Sequence, residues 1–538
     1  MSKKSFVKGA AILAAAGIIA KAIGALFRIP LMNIIHEQGM GLYQLAYPVY
    51  AFLLIVSTAG LPTAISKLVS EKIALDDYRG AHKVFRVSFR LLLVLGLTTS
   101  IIMLVGSPLF AKLSGNEKSF YPLLAIAPSL FFVSLLSSYR GYFQGMQIMT
   151  PTALTQIVEQ FGKLIMGLWF AALWIPNGPE YGAAGAVLGV TLSEVAALVL
   201  IVGIYRSQEP RIYRRIKRSP RQAYNESSRS IMTRIVKIAI PVTIGASIMP
   251  LVNMADAVIV INRLTHTGFT KPEATGLYGI LTGGANPLIN FPTVFTIALG
   301  MSLVPAISES YAVKDWRSIS DNASTGIKLT LLIGLPAACG LYVLALPISR
   351  LLYSSLKEEA IINTGNLIAT LSLGVVFLTL IQTLTAILQG VNRIVMPVKN
   401  LMIGALFKVV LSYVLVGIPA LNVKGAAIGT VTCYGIAAVL DFAAVISYAK
   451  VSLSATDFFI KPLISTGVMA LCVYGSYNFS YGFLKSNIKA TILSILVGVL
   501  VYAVMLLVTG VIKRQDFELL PKGKKVVRVL DRLGLLRK

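Results

Sequence analysis

The chain has 538 residues, 56% of them hydrophobic and 13% charged, with a formal net charge of +27. A mean hydropathy of +0.77 excludes a water-soluble protein with large aqueous domains. The basic excess does not mark a nucleic-acid binder, because Lys and Arg gather in short segments between apolar runs and no basic domain exists to dock a groove.

Fourteen apolar runs read as membrane helices, at roughly 6–32, 43–70, 87–111, 121–146, 152–175, 182–205, 235–262, 278–311, 324–352, 362–389, 395–420, 424–449, 460–482 and 488–512. They are continuous rather than alternating, which argues against a membrane barrel. The first run is too long for a cleavable signal peptide, and none is expected. Cys339, Cys433 and Cys472 show no CxxC spacing and His36, His82 and His266 are scattered, so no disulfide framework, metal or other cofactor is implied.

The loops set the orientation. Lys3, Lys4 and Lys8 precede the first run, and Lys72, Arg79, Lys83 and Arg86 follow the second. EPRIYRRIKRSPRQ follows the sixth, and a basic segment begins at Lys513. The intervening loops NIIHEQGMG and IPNGPEYG are nearly free of Lys and Arg. This positive-inside pattern predicts that both termini are cytoplasmic. In the last segment Val526, Val529, Leu530, Leu533 and Leu536 recur at helical spacing opposite cations, which predicts an amphipathic helix on the inner leaflet.

The two halves repeat. Gly41-Leu42-Tyr43 recurs at Gly276-Leu277-Tyr278, and LPTAISK around Pro62 as VPAISES around Pro305. Gln144-Gly145 recurs at Gln389-Gly390, and GAVLG from Gly185 as GAAIG from Gly425. Six helices per half is an even number, so the repeats are parallel, with a central cavity and rocking expected between two bundles. The last two helices lie outside the repeat. The expected divisions are an N-terminal six-helix lobe with its basic loop at 1–220, a C-terminal six-helix lobe at 221–450, and the last two helices with the basic tail at 451–538.

Ionisable groups within the membrane cost about 2.5–3.5 kcal/mol each on insertion scales and call for a reason. Gly17, Lys21, Gly24 and Arg28 form one stripe on the first helix. The repeat offset carries Arg28 to Arg263 and Lys21 to Asp256, and a second offset carries Lys163 to Lys408. Lys21 and Asp256 therefore either clamp the halves together or line a polar cavity with Arg28 and Arg263 near its mouth. Glu159 precedes Lys163 by four residues, a favourable ion-pair spacing. Gly404 replaces that acid before Lys408, so Asp256 and Lys408 are candidates for a gating pair, and Glu159 and Lys163 stand with them as gating or ion-coupling candidates. Glu194 and Asp441 are further intramembrane acids, for which structural pairing is expected. Thr155, Gln156 and Gln160 either line a cavity or bond neighbouring helices. No GxxxxGK[ST] or HExxH motif is present, and no enzymatic activity is expected.

GLYQLAYPVYAFLLIVSTAGLPTAISKLVSEK (41–72), YRGYFQGMQIMTPTALTQIVEQ (139–160), GAAGAVLG and VKGAAIG resemble the polysaccharide-transport family of flippases. That family includes the stage V sporulation protein B group of Gram-positive bacteria and the lipid II flippases, and the resemblance covers nearly the whole chain. It implies an all-α multidrug-exporter-like fold in the plasma membrane of a Gram-positive-type bacterium. It also implies alternating access, a monomer, and roles in cell-wall synthesis, cell shape or sporulation. The implied substrate is a lipid-linked, pyrophosphate-bearing sugar such as lipid II. Lys21 and Arg28 match the family's basic first helix, with different spacing. Asp256 matches an acid that binds sodium in some members, but Gly404 and Lys408 do not resemble cation ligands. The alternatives are a cation-coupled multidrug exporter of the same superfamily, an exporter of another lipid-linked polysaccharide, and a non-transporting scaffold of the cell-wall machinery.

Overall fold

The computed structural model describes residues 3–219, 226–451 and 456–511, and all regular structure among them is helical. The amphipathic segment expected after Lys513 lies outside these residues. The chain forms two compact units, Met1–Gly283 and Gly284–Lys538.

The first unit contains α1 (Lys3–Thr58), α2 (Leu61–Ala74), α3 (Tyr78–Leu113) and α4 (Phe120–Gly145). It continues with α5 (Thr150–Trp174), α6 (Pro179–Arg218), α7 (Ser228–His266) and α8 (Lys271–Gly279). The second contains α9 (Asn286–Asn290), α10 (Thr293–Ala312), α11 (Trp316–Val343), α12 (Ala345–Leu352) and α13 (Glu358–Gly390). Its last helices are α14 (Val395–Val416), α15 (Lys424–Ala449), α16 (Lys461–Leu484) and α17 (Asn487–Val508).

Thirteen helical segments among the described residues are long and apolar enough to cross a membrane. The first, Ala15–Ala74, has 60 residues, about three times the 20 or so that one crossing needs. It breaks at His36, where φ is 55° and ψ −174°, and again at Gly60, where φ is 74°. This segment therefore supplies two passes, and the fourteen crossings read from the sequence are accounted for. The run expected as one helix over 278–311 is instead α8, a π-helical turn at Ile280–Ala285, α9 and α10. Gly283 and Gly284 weaken helical continuity there, and Pro287 and Pro292 each remove a backbone donor. The crossing is left to the 20 residues of α10.

The repeat is visible inside each unit as the same kind of helix contact. In the first, a Cβ on Gly185 or Gly189 of α6 would strike the α5 backbone at Phe170 or Gly167. In the second, a Cβ on Gly425 of α15 would strike the α14 backbone at Leu415. Gly145 packs on Val69 of α2, and Gly390 packs on Ile307 of α10. Small residues do this because lipid provides no hydrophobic drive between helices, so close van der Waals approach must hold them together. Both halves also start their next helix alike. Asp77 accepts a hydrogen bond from the Gly80 amide at 2.7 Å to open α3, and Asp315 accepts one from Ser318 at 3.1 Å to open α11. The bonds from Ser318 hold the Asp315 carboxyl below the usual carboxylate range. The GLY copies themselves adjoin within the first unit: a Cβ on Gly41 would meet the Thr275 carbonyl, and one on Gly279 would meet that of Glu37.

Gly189→Ala forces a methyl into the α5 backbone and is expected to cost about 1–3 kcal/mol, lowering the unfolding temperature of the purified chain in detergent. Gly203→Ala, at a site with nothing within 4 Å, is expected to be neutral or slightly stabilising.

Candidate functional site

Inside the spanning helices of the first unit, the charged side chains converge from α1, α4, α5 and α6. The turn between α4 and α5 folds the chain back on itself, so residues equidistant from it lie at the same depth. Arg140 of α4 thus stands level with Thr155 of α5, and its guanidinium reaches one turn further along α5 to Glu159. Its Nη2 donates to Glu159 Oε2 at 2.9 Å and its Nε to Thr155 Oγ1 at 3.0 Å. Both members of the ion pair are largely buried. Gln160 Nε2 donates to the other Glu159 oxygen at 3.4 Å. Glu194 of α6, 4% exposed, turns its carboxyl toward Glu159.

Lys163 lies one turn deeper on α5. Its Nζ sits 5.0 Å from the ring centroid of Phe27 and 5.5 Å from that of Tyr47, and it also interacts with Tyr43. Tyr43, Tyr47 and Tyr50 are a continuous ring series, with centroids 5.9 and 5.8 Å apart. An ammonium over ring faces is stabilised by their quadrupoles, by about 2 kcal/mol or more when desolvated. The i, i+4 spacing pointed to a Glu159–Lys163 pair. The structure instead gives Glu159 to Arg140, which reaches both Glu159 and Thr155, and gives Lys163 to the rings.

The α1 stripe faces this cluster at Gly24, where a Cβ would stand 3.3 Å from Gln160 Oε1. Arg28 is half-buried and close enough to Lys163 for their charges to repel. Lys21 is exposed and Asp256 is 6% exposed, and no Lys21–Asp256 ion pair occurs among the described residues. Asp256 interacts electrostatically with buried Tyr278 of α8. Arg263 occupies the last turn of α7, where a cation complements the helix dipole.

Two buried polar atoms in the cluster, Gln156 Oε1 and Glu194 Oε2, have no hydrogen-bond partner in the protein. Arg28, Arg140 and Lys163 outnumber Glu159 and Glu194, so the cluster is net positive even with both acids ionised. That is the chemistry of an anion site.

In the second unit, Lys408 is half-buried on α14. One turn before it, Gly404 is where α15 comes closest: a Cβ there would lie 2.5 Å from the Cys433 carbonyl. An acid corresponding to Glu159 does not fit. Asp441, fully buried on α15, accepts a hydrogen bond from Asn400 Nδ2 at 2.7 Å. A separate apolar groove of about 510 Å³ runs between α11 and the last two helices, lined by residues such as Leu332, Pro336, Met469, Val473 and Tyr502. Among the described residues no three His, Cys, Asp or Glu side chains gather as a metal-holding group.

Arg140, Phe27 and Tyr47 are parts of the site that charge counting on the sequence missed. Arg140 lies within the fourth apolar run, and the available signal was its symmetry about the turn with Thr155, one turn from Glu159 on the same helix. An Arg140→Gln, Glu159→Gln double-mutant cycle on thermal stability is expected to give a coupling of about 1–3 kcal/mol. The Arg140→Gln single variant should be less stable than the double, since it alone leaves Glu159 facing Glu194.

Residues 6–311 match the family model described as polysaccharide biosynthesis protein, and residues 282–414 match the MatE model. Stage V sporulation protein B of Bacillus subtilis (strain 168) is 30% identical over 98% of this chain and 100% of its own length. Lipid II flippase MurJ of the same organism is 26% identical over 81% of each chain. Among solved structures, a lipid II flippase MurJ in an inward closed conformation matches with a TM-score of 0.68 at 16% identity, covering 92% of this chain and 97% of that one. An inward-facing multidrug resistance MATE family transporter of the MOP superfamily matches at 0.61 and 17% identity, over 79% and 99%. At these identities the two structures speak to the fold. The sequence matches go further: this multi-pass membrane chain belongs to the polysaccharide biosynthesis protein family.

Proposed function

We propose that the chain is a flippase that moves an undecaprenyl-pyrophosphate-linked cell-wall precursor, lipid II, across the cytoplasmic membrane by alternating access. The observation that carries this is the surplus of cations held inside the spanning helices of the first unit. A pyrophosphate diester brings about two negative charges, and guanidinium and ammonium groups answer them with charge-assisted hydrogen bonds. Arg28 and Lys163 supply those donors, while Arg140 is retained by Glu159. Lys21, exposed on the same stripe, meets the headgroup first, and Arg263 near the helix end meets it on leaving. The polyprenyl tail stays in lipid along the apolar groove beside α16 and α17. The names of the relatives agree with this direction.

The orientation follows from the basic loops, which place both termini in the cytoplasm. A negative interior then favours outward movement of the anion by about 2.3 kcal/mol per charge per 100 mV. A drug exporter of the same fold needs acids available to a cationic ligand. Here Glu159 is engaged by Arg140, which counts against that reading. Asp256 and Lys408 are assigned to gating. Asp256→Asn and Lys408→Met are each expected to slow flipping in reconstituted vesicles, and unchanged rates in both would remove the assignment.

Complementation of a strain depleted of its lipid II flippase tests the function. Wild type is expected to restore growth, and Lys21→Ala and Arg28→Ala to lose that ability at matched expression. Rescue by both variants contradicts the cationic site. Failure of the wild type assigns the chain another lipid-linked sugar or a scaffolding role.

A further inference from the structure

At the end of the first unit that carries the basic loops, the structure holds a second pocket, which shares no lining residue with the cationic cluster. Three separate segments bound a cavity of about 200 Å³: the α2–α3 corner with Tyr78, the α4–α5 turn with Tyr142, and the last turns of α6 with Gln208, Arg211, Ile212 and Arg215. At about 30 Å³ per water, it has room for a phosphate and a short organic stub.

Its walls are fixed by bonds that do not use the cavity. Ser219 Oγ donates to the Asp76 carbonyl at 2.8 Å and accepts from the Tyr78 amide at 3.2 Å. Arg79 Nε donates to the Ile216 carbonyl at 3.2 Å. Together these tie the end of α6 to the α2–α3 corner. The Arg215 guanidinium stands 5.8 Å from the Tyr78 ring centroid, which holds it at the rim. Arg211 and Arg215 are four residues apart on one helix face, an arrangement in which like charges repel. No carboxylate pairs with either among the described residues. An anion between them removes the repulsion.

Depth points the same way. The sixth apolar run ends near residue 205, so at 1.5 Å per residue Arg211 and Arg215 lie about 9 and 15 Å beyond it. With the orientation proposed above, that is the level of the inner-leaflet headgroups. Basic pockets between membrane helices on the cytoplasmic side suit anionic headgroups.

We propose that this pocket is a binding site for a phosphate-bearing anion, with Arg211 and Arg215 holding the phosphate, Gln208 adding a neutral donor, and Tyr78, Tyr142 and Ile212 receiving the organic stub. The phosphate comes from an inner-leaflet anionic phospholipid or from a soluble phosphate compound. Occupancy ties three segments of the first unit together, so the ligand stabilises that end of the bundle.

The test is thermal unfolding of the purified full chain in detergent with added phosphatidylglycerol, phosphatidylcholine or inorganic pyrophosphate. Wild type is expected to gain about 2 °C or more with phosphatidylglycerol and nothing with phosphatidylcholine. The Arg211→Gln, Arg215→Gln double variant should lose that gain. Arg214→Gln should keep it, because Arg214 belongs to the same basic run but its Nε donates to the Pro210 carbonyl at 3.2 Å and it does not line the pocket. A gain with pyrophosphate but not phosphatidylglycerol, lost in the double variant, supports the site and assigns it a soluble ligand. Should the double variant fold poorly, phosphatidylglycerol retained through purification is counted by mass in Arg211→Gln against Arg214→Gln, with less expected in the former. No gain with either probe, or an equal loss in Arg214→Gln and the pocket variants, overturns the proposal.

Discussion

A positive charge inside hydrocarbon is tolerated where something nearby answers it, and the first unit is organised around that constraint. Arg140 is answered by Glu159, which fixes the depth at which α4 and α5 face each other. Lys163 is answered by the faces of Phe27 and Tyr47, which stabilise an ammonium without neutralising it. That difference matters for function. A carboxylate partner would cancel the charge, whereas an aromatic partner leaves it available to an incoming anion. With Arg28 alongside, the cluster stays net positive and its buried acceptors Gln156 Oε1 and Glu194 Oε2 remain unmet.

The scaffold that places these groups depends on glycine. Lipid tails are as apolar as leucine, so helix pairs are held by close approach rather than by exclusion from water. Gly185 and Gly189 set α6 against α5, and Gly425 sets α15 against α14. The same closeness explains an asymmetry between the repeats. Where the first half has Glu159, the second has Gly404, because the Cys433 carbonyl occupies the space a side chain would need. The second unit thus gives up the acid one turn before Lys408 to bring its helices together.

Much of this was legible in the sequence. The apolar runs, the in-order repeat and the intramembrane charges are one-dimensional signals, and the membrane leaves helices almost no alternative. The break in the run over 278–311 was less visible, although Gly283, Gly284, Pro287 and Pro292 stand in it; overall hydropathy hides backbone punctuation. The partner of Glu159 was misread for a geometric reason. Lys163 is its neighbour along one helix, but Arg140 is its neighbour across the turn, and tertiary proximity decided between them. The aromatic cradle of Lys163 could not be read at all, because Phe27 and Tyr47 meet it only once α1 and α5 are packed together. The pocket at the end of α6 was concealed in the same way. Its arginines looked like topology signals until the fold placed two of them at the rim of a cavity.

The central claim is that the uncancelled cations of the first unit bind the pyrophosphate of a lipid carrier. Equilibrium binding of an undecaprenyl-pyrophosphate-linked sugar to the purified chain measures it directly, with Arg28→Ala and Lys163→Met compared with wild type. The account predicts at least a tenfold loss of affinity in each variant, about 1.4 kcal/mol, and no competition by the uncharged polyprenol. Equal affinity in all three proteins, or full competition by the polyprenol, would contradict it.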